Sequence, residues 1–170
     1  MVDENFKDTA PGEVGQMIVK GPNGCRYLDD IERQKAYIRD GWNLSGDLCI
    51  RDEEGYFSYE ARTDDMILTG GYNVSGLEVE AILMEHPAIR EVAVVGSPDA
   101  DRGQIVKAFI ELRETYSADE KLIRELQDFV KSQISAFKYP RAIEFVDELP
   151  HTPTGKIQRG ALRQLDRDRS

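Results

Sequence analysis

The hydrophobic positions in the first 61 residues predict short strands separated by turns. An apolar run at residues 16–20 lies between two glycine-containing turns. Residues 48–51 and 56–60 flank a polar turn at 52–55, and the second of these segments alternates as a hairpin strand does. A short helix is predicted over residues 29–38. This part of the chain is therefore expected to be β-rich.

After residue 62 the pattern changes to one that mixes strands with helices. Gly70 and Gly71 separate two short apolar segments, which predicts a tight hairpin. Ser117 and Glu120 have the spacing of a capping box before a helical apolar stripe. The predicted elements are a helix from 77 that ends near 86, a strand over 89–95 broken at 96–99, a strand over 105–112, a helix over 117–134, a third long strand over 142–146 and a short helix over 160–166.

These patterns predict an α+β fold class in two parts. The second part is expected to be a small mixed sheet packed by helices. Polar residues at 62–65 separate the two patterns, as is usual for a hinge between domains. We therefore divide the chain into domains 1–63 and 64–170.

The composition is that of a globular protein with an acidic surface. Of 170 residues, 22 are basic and 32 are acidic, which gives a net charge of −10. This charge disfavours nucleic acid and anionic membranes as partners. No apolar run approaches the roughly 20 residues of a spanning helix. The polar N-terminus lacks a secretory signal and the two cysteines are too distant for a CxxC pair, so a cytoplasmic location is expected.

The sequence lacks the common catalytic templates. It contains no GxSxG, HExxH or GxGxxG motif. Gly155-Lys156 is not the end of a Walker sequence, because Pro150 occupies the place of the first glycine and Ile157 that of the Ser or Thr. The two histidines, His86 and His151, lack ligand spacing, so no metal site is predicted.

Three segments in order carry a more specific signal. Residues 42–47 read WNLSGD, residues 62–80 include RTDDMI, GGYNV and EVE, and residues 148–163 include TPTGKIQR. Together with FKYP at 137–140, they resemble the C-terminal third of adenylate-forming enzymes. That superfamily includes acyl- and aryl-CoA synthetases, luciferases and the adenylation domains of peptide synthetases. The GGYNV variant looks most like the CoA ligases of the benzoate and aminobenzoate type.

The resemblance implies an activity that needs more protein than this chain. Such enzymes adenylate a small carboxylic acid with ATP and then transfer the acyl group to coenzyme A. In the family, the ATP-phosphate loop, the acidic residue that helps to hold Mg²⁺ and the acyl pocket all lie upstream. The resemblance therefore implies a fragment: residues 1–63 end a large AMP-binding domain, and residues 64–170 form the complete small lid domain. The missing N-terminal domain is its expected partner, and the fragment alone is expected to be inactive.

Four residues match family positions that serve adenylation. Lys156 matches the catalytic lysine, Asp47 and Arg62 match nucleotide-binding residues, and Asp64 matches the hinge. An ammonium between a carboxylate and the α-phosphate would offset the charge that grows in the transition state. The alternatives are a solvated lysine, an Asx turn at Asp47 in a loop, a surface ion pair of Arg62 with Asp64 or Asp65, and an ordinary linker aspartate.

Five further residues match the binding site for coenzyme A and its pantetheine arm. Gly70 and Gly71 would line the pantetheine tunnel, since a residue without a Cβ allows close approach of a thin ligand. Phe137, Lys138 and Arg141 would contact the nucleotide end by stacking and phosphate pairing. The alternatives are a plain hairpin turn, a core phenylalanine and solvated charges.

Two other functions remain open at this stage. The chain could be a non-catalytic binding module that keeps the small-domain fold, since the phosphate loop is absent from it. The acceptor thiol could also belong to the pantetheine of a carrier protein, although the acidic surface disfavours an acidic carrier.

Overall fold

The structure is a computed structural model that describes residues 1–22 and 24–169. It divides into two compact units, Met1–Asp64 and Asp65–Ser170, called here the N-terminal unit and the C-terminal unit. The division falls one residue beyond the boundary expected from the sequence. That the N-terminal unit is the end of a larger domain stays a prediction. No helix among the described residues combines the length and the apolar character needed to cross a membrane.

The N-terminal unit is built on one antiparallel sheet. The long strand β3 (Trp42–Arg51) pairs with each of the other three strands of the sheet. Its hairpin with the following strand is confirmed: Asp52 accepts a hydrogen bond from the Tyr56 amide at 2.8 Å, and Gly55 has a φ of +90°. The elements are β1 (Val14–Val19), α1 (Ile31–Tyr37), β2 (Ile38–Arg39), β3 (Trp42–Arg51) and β4 (Phe57–Arg62).

The C-terminal unit contains a hairpin and a separate three-stranded sheet. The sheet consists of β7 (Ile89–Asp99), β8 (Gly103–Leu112) and β9 (Ala142–Phe145), in that order. Strand β7 pairs antiparallel with β8, and β8 pairs parallel with β9, so the predicted mixed sheet is confirmed. The elements are β5 (Met66–Thr69), β6 (Tyr72–Ser75), α2 (Gly76–Leu83), β7 (Ile89–Asp99), β8 (Gly103–Leu112), α3 (Glu120–Gln133), β9 (Ala142–Phe145) and α4 (Arg159–Arg169).

The sheet of the C-terminal unit is covered on both faces. On β8, Ala108 and Ile110 belong to the cluster that contains Leu126 of α3, whereas Phe109 belongs to a second cluster with Leu162 of α4. This is the period of two that a strand imposes on its side chains. Helices therefore pack against both faces of the sheet. The segment between β9 and α4 also packs against it, through Leu149 in the cluster of Phe109.

Several predicted boundaries are wrong for local reasons. The break at 96–99 does not occur, because β7 continues to Asp99 as an edge strand, where a proline such as Pro98 is tolerated. Ser117 does not cap α3; Asp119 does, and its side chain accepts from the Leu122 amide at 2.7 Å. The strand predicted at 142–146 is short, with four residues, and the last helix is longer than expected, with eleven.

Candidate functional site

Asp47 and Arg62 form a pair across two neighbouring strands of the N-terminal unit. The prediction that Asp47 lies in a loop is wrong, since it lies within β3, where its register partner on β4 is Arg62. Arg62 Nη1 donates to Asp47 Oδ1 at 2.9 Å and to the Ser45 carbonyl at 3.1 Å. The Asp47 side chain is 33% exposed, so a carboxylate stands at the surface with one side fixed by a guanidinium.

The residue before Asp47 makes this close pairing possible. Gly46 has a φ of +78°, and a Cβ there would lie 2.7 Å from Arg62 Nη2. A side chain at this position would therefore displace the guanidinium as well as strain the backbone. Burial opposes the charge of Arg62, but the hydrogen bond that it donates to Asp47, together with the charges of Asp47 and Asp64, outweighs burial and raises the pKa of the guanidinium. The arginine is thus firmly cationic.

Asp64 lies in the turn that ends the N-terminal unit. Its side chain is 65% exposed, and its Oδ1 lies 3.7 Å from Arg62 Nε. The alternative ion pair of Arg62 with Asp64 is therefore present beside the pair with Asp47. Asp65 takes no part in it, because it accepts from Arg163 Nη1 at 2.6 Å within the C-terminal unit. The hinge role of Asp64 stays a prediction.

Lys156 lies on an exposed, tightly closed loop of the C-terminal unit. The Thr152 amide donates to the Lys156 carbonyl at 2.8 Å, and the Lys156 amide donates to Thr152 Oγ1 at 3.1 Å. Gly155 makes the turn with a φ of +81°. Within the described part of the chain, the Lys156 ammonium has no hydrogen bond or ion pair. The backbone of this residue is fixed while its charge remains available.

Each end of the loop is attached to the body of the C-terminal unit. Before the loop, His151 Nε2 lies 3.0 Å from Glu91 Oε1 on β7, and this hydrogen bond raises the pKa of the imidazole. After the loop, Arg159 Nη2 donates to Glu80 Oε2 at 2.6 Å. Neither pair is predicted from the sequence, where only the EVE motif and the basic residues close to Lys156 point to them.

Gly70 and Gly71 form the predicted hairpin turn between β5 and β6. Their φ values are +55° and +84°, so both positions favour glycine. The Tyr72 ring beside the turn stacks on the Phe137 ring, with centroids 4.5 Å apart and 23° between planes. The structure therefore brings Phe137 to the glycine turn. Phe137 also packs against the core, so part of the core alternative holds.

Three cations of the C-terminal unit, Lys138, Arg141 and Arg102, differ in their surroundings. Lys138 Nζ donates to both oxygens of Glu78, at 2.8 and 2.7 Å, so its charge is already paired. Arg141 lies over the Tyr139 ring, 5.2 Å from its centroid. Arg102, which the sequence analysis missed, has its Nη1 3.4 Å from the Cβ position of Gly70. Its carbonyl also accepts from the Gly70 amide at 3.1 Å.

No metal centre is found among residues 1–22 and 24–169. These residues contain no group of three or more His, Cys, Asp or Glu side chains that could hold an ion. His86 and His151 each pair with a glutamate of the C-terminal unit instead, Glu125 and Glu91. The expectation that Mg²⁺ is held mainly by protein outside this chain stays a prediction.

Known proteins resemble the chain along almost its full length. Residues 78–156 match the family of AMP-binding enzyme C-terminal domains. Acyl-coenzyme A synthetase ACSM4, mitochondrial, of Mus musculus is 42% identical over 98% of this chain, which spans only 30% of that relative. The solved anthranilate CoA ligase AuaEII in complex with anthranoyl-AMP is 40% identical, with a TM-score of 0.83 over 97% of this chain and 32% of that one.

A second solved structure agrees with the first. The benzoate CoA ligase from Burkholderia xenovorans LB400 is 41% identical, with a TM-score of 0.78 over 95% of this chain and 32% of that one. The resemblance seen in the three ordered segments, and the α+β fold predicted with it, are thus confirmed. Residues 78–156 carry the AMP-binding enzyme C-terminal domain, and the chain is similar over almost its full length to the C-terminal third of acyl- and aryl-CoA ligases.

Proposed function

We propose that this chain is the C-terminal part of an ATP-dependent acid–thiol ligase that adenylates a carboxylic acid and transfers the acyl group to coenzyme A. The observation that carries the proposal is Lys156, whose backbone is held at both its amide and its carbonyl while its exposed ammonium has no partner in the described chain. An exposed ammonium without an internal partner can bind a negatively charged substrate. The cytoplasmic location expected from the sequence stays a prediction.

The first half-reaction gives Lys156 its role. A carboxylate oxygen of the acid attacks the α-phosphorus of ATP, and the bond from that phosphorus to the bridging oxygen of pyrophosphate breaks. Negative charge grows on the oxygens around phosphorus during this step. The Lys156 ammonium, placed between the carboxylate and the α-phosphate, stabilises that charge and holds the two reacting atoms in line.

Asp47 and Arg62 serve the same half-reaction by holding the nucleotide. An ionised carboxylate is a strong acceptor for the two ribose hydroxyls. Arg62 fixes the orientation of Asp47 through the 2.9 Å hydrogen bond and presents further N–H donors to the nucleotide. This role is supported by the partial exposure of Asp47 and by the absence of a side chain at Gly46.

The second half-reaction involves the glycine turn. The sulfur of the thiol attacks the acyl carbonyl, AMP leaves, and the thiol proton passes to solvent. A pantetheine arm is thin, and the space beside Gly71 is open, with no atom within 4 Å of its Cβ position. The nucleotide end of coenzyme A is expected at Phe137, Lys138 and Arg141. Of these, Lys138 must exchange Glu78 for a phosphate.

The proposed function is tested by comparing this chain with a ligase that contains it. The 170-residue chain is expected to release no pyrophosphate from ATP with benzoate, anthranilate or aliphatic acids. A longer protein that carries this chain after an ATP-phosphate loop and an acyl pocket is expected to form the CoA thioester of one of them. A carrier protein as the sole acceptor would overturn the assignment of coenzyme A. An inactive longer protein that binds only a protein partner would favour a binding module.

Replacement of Gly71 by alanine is expected to slow thioester formation about tenfold while leaving adenylate formation unchanged. The new methyl group would narrow the path for pantetheine. Gly55→Ala is the matched control, because Gly55 also has a positive φ and an open Cβ position but lies in the β3–β4 turn. The two half-reactions are followed separately, as pyrophosphate release and as thioester formed from supplied acyl-adenylate. If Gly71→Ala and Gly55→Ala changed the rate of thioester formation equally, Gly71 would be only a turn residue and would not line the path of pantetheine.

A further inference from the structure

The loop that carries Lys156 is closed at its base by a short ladder of backbone contacts. Outside the Thr152–Lys156 hydrogen bond, His151 and Ile157 form a β-bridge. Beyond these, the Gln158 amide donates to the Pro150 carbonyl at 2.7 Å. Ile157 is partly buried and packs against the core cluster of Phe109. The ladder keeps the loop narrow, but it does not by itself set the direction in which the loop points.

The segment that enters the loop is attached to β7. His151 Nε2 lies 3.0 Å from Glu91 Oε1, while the His151 carbonyl accepts from Gln158 Nε2 at 2.6 Å. His151 thus contacts the sheet through its side chain and the opposite side of the loop through its carbonyl. Glu111 of β8, the register partner of Glu91, accepts from the Leu149 amide two residues earlier. Both strands therefore hold the entering segment.

The segment that leaves the loop is attached through a buried carboxylate. Arg159 donates to both oxygens of Glu80 on α2, through Nη2 at 2.6 Å and Nε at 3.1 Å. Glu80 is 8% exposed and also accepts from the Val94 amide of β7 at 2.7 Å. A buried ion pair adds little net stability compared with apolar side chains. A bidentate pair of fixed geometry does, however, determine where its two segments lie.

We propose that His151 and Arg159 are positioning residues, which hold the two ends of the Lys156 loop to strand β7 and helix α2 and so aim the ammonium. The inference rests on the role of Lys156 proposed above. Neither residue needs to touch ATP or the acid. Displacement of a reacting group by about 1 Å can cost on the order of 100-fold in rate, so a loop attached at one end only would position Lys156 poorly.

The first test uses the 170-residue chain and amide hydrogen exchange. His151→Ala and the double variant E80Q/R159M are expected to speed exchange at Thr152 and Gly155 about tenfold, with Phe109 of β8 unchanged. The matched control is D65N/R163M, which removes another half-buried ion pair of α4, one that includes no residue of the loop or of its two attachments. The double variants avoid leaving a buried charge without its partner. Unchanged loop exchange in His151→Ala, or equal acceleration at Phe109, would overturn the inference.

The second test uses a ligase that contains this chain. His151→Ala and E80Q/R159M are expected to slow adenylate formation roughly 10- to 100-fold while thioester formation from supplied adenylate stays within a few-fold of its original rate. His151→Lys should restore most of the rate, because an ammonium can still pair with Glu91. Lys156→Ala separates the two proposals. If Lys156→Ala slows adenylation but His151→Ala and E80Q/R159M do not, the positioning role of His151 and Arg159 is wrong and the proposed function is retained. If Lys156→Ala has no effect on adenylation, the proposed function is wrong, and the exchange experiment still shows whether the two residues hold the loop.

Discussion

Replacement of Lys156 by alanine, in a ligase that contains this chain, is expected to slow adenylate formation by about 100- to 1,000-fold. The reason is electrostatic: the substitution removes one preorganised cation from the phosphorus at which charge develops. The Lys156 ammonium has no hydrogen bond or ion pair within the described part of the chain, so its removal breaks none. Pyrophosphate release measures the step directly. Thioester formation from supplied acyl-adenylate should change only a few-fold.

Lys121→Ala is the control for this substitution. Lys121 is another exposed lysine of the C-terminal unit, at the start of α3, and no partner of its ammonium is described. Its removal changes the net charge by the same amount and should leave both half-reactions intact. If Lys156→Ala slowed both half-reactions equally, the lysine would serve stability or substrate binding in general, and its assignment to adenylation would be incorrect.

Replacement of Asp47 by alanine is expected to lower kcat/KM for ATP by about 100-fold or more, because each hydrogen bond to a charged group contributes roughly 1.5–3 kcal/mol. Two ribose hydroxyls would lose their acceptor, and Arg62 would lose the hydrogen bond that orients it. The loss should fall mainly on KM for ATP, with the KM for the acid little changed. Steady-state kinetics with each substrate varied in turn measures the difference.

Two variants make the Asp47 result interpretable. Asp47→Asn keeps the shape and one acceptor oxygen, so an intermediate loss is expected. Asp52→Ala removes an exposed aspartate from the turn of the same hairpin, where it accepts from the Tyr56 amide, and should leave the KM for ATP unchanged. Asp47 would be a purely structural residue if its alanine variant lowered the stability of the N-terminal unit and left the KM for ATP unaltered.

The parts of the fold that local periodicity determines could be predicted from the sequence. The alternation along β8 follows from its two buried faces, and the glycine turn follows from two adjacent positions with positive φ. The position of Lys156 on an exposed loop follows from the Pro, Thr and Gly that precede it. Such features depend on residues that are close together in the chain, and the sequence shows these residues directly.

The parts that depend on distant partners could not be predicted. Glu80 and Arg159 are 79 residues apart, and the sequence offers no measure of which arginine will reach a buried carboxylate. A glycine before an aspartate usually marks a loop, whereas Gly46 adopts a positive φ within β3 and leaves Asp47 in the strand. The extension of β7 through Pro98 likewise depends on its place at the sheet edge, which is a property of the assembled sheet.

The dependence of the C-terminal unit on α4 has a consequence for biosynthesis. Glu80, Asp65 and Lys107 receive counter-charges from Arg159, Arg163 and Asp166 of this helix, and Leu162 completes the core cluster around Phe109. Because a nascent polypeptide leaves the ribosome in chain order, Asp65, Glu80, Lys107 and Phe109 emerge before α4 does. Until that helix has been translated, three charges lack their partners and the sheet exposes an apolar face, which is the feature that chaperones recognise. The unit therefore completes its folding only after α4 has left the exit tunnel.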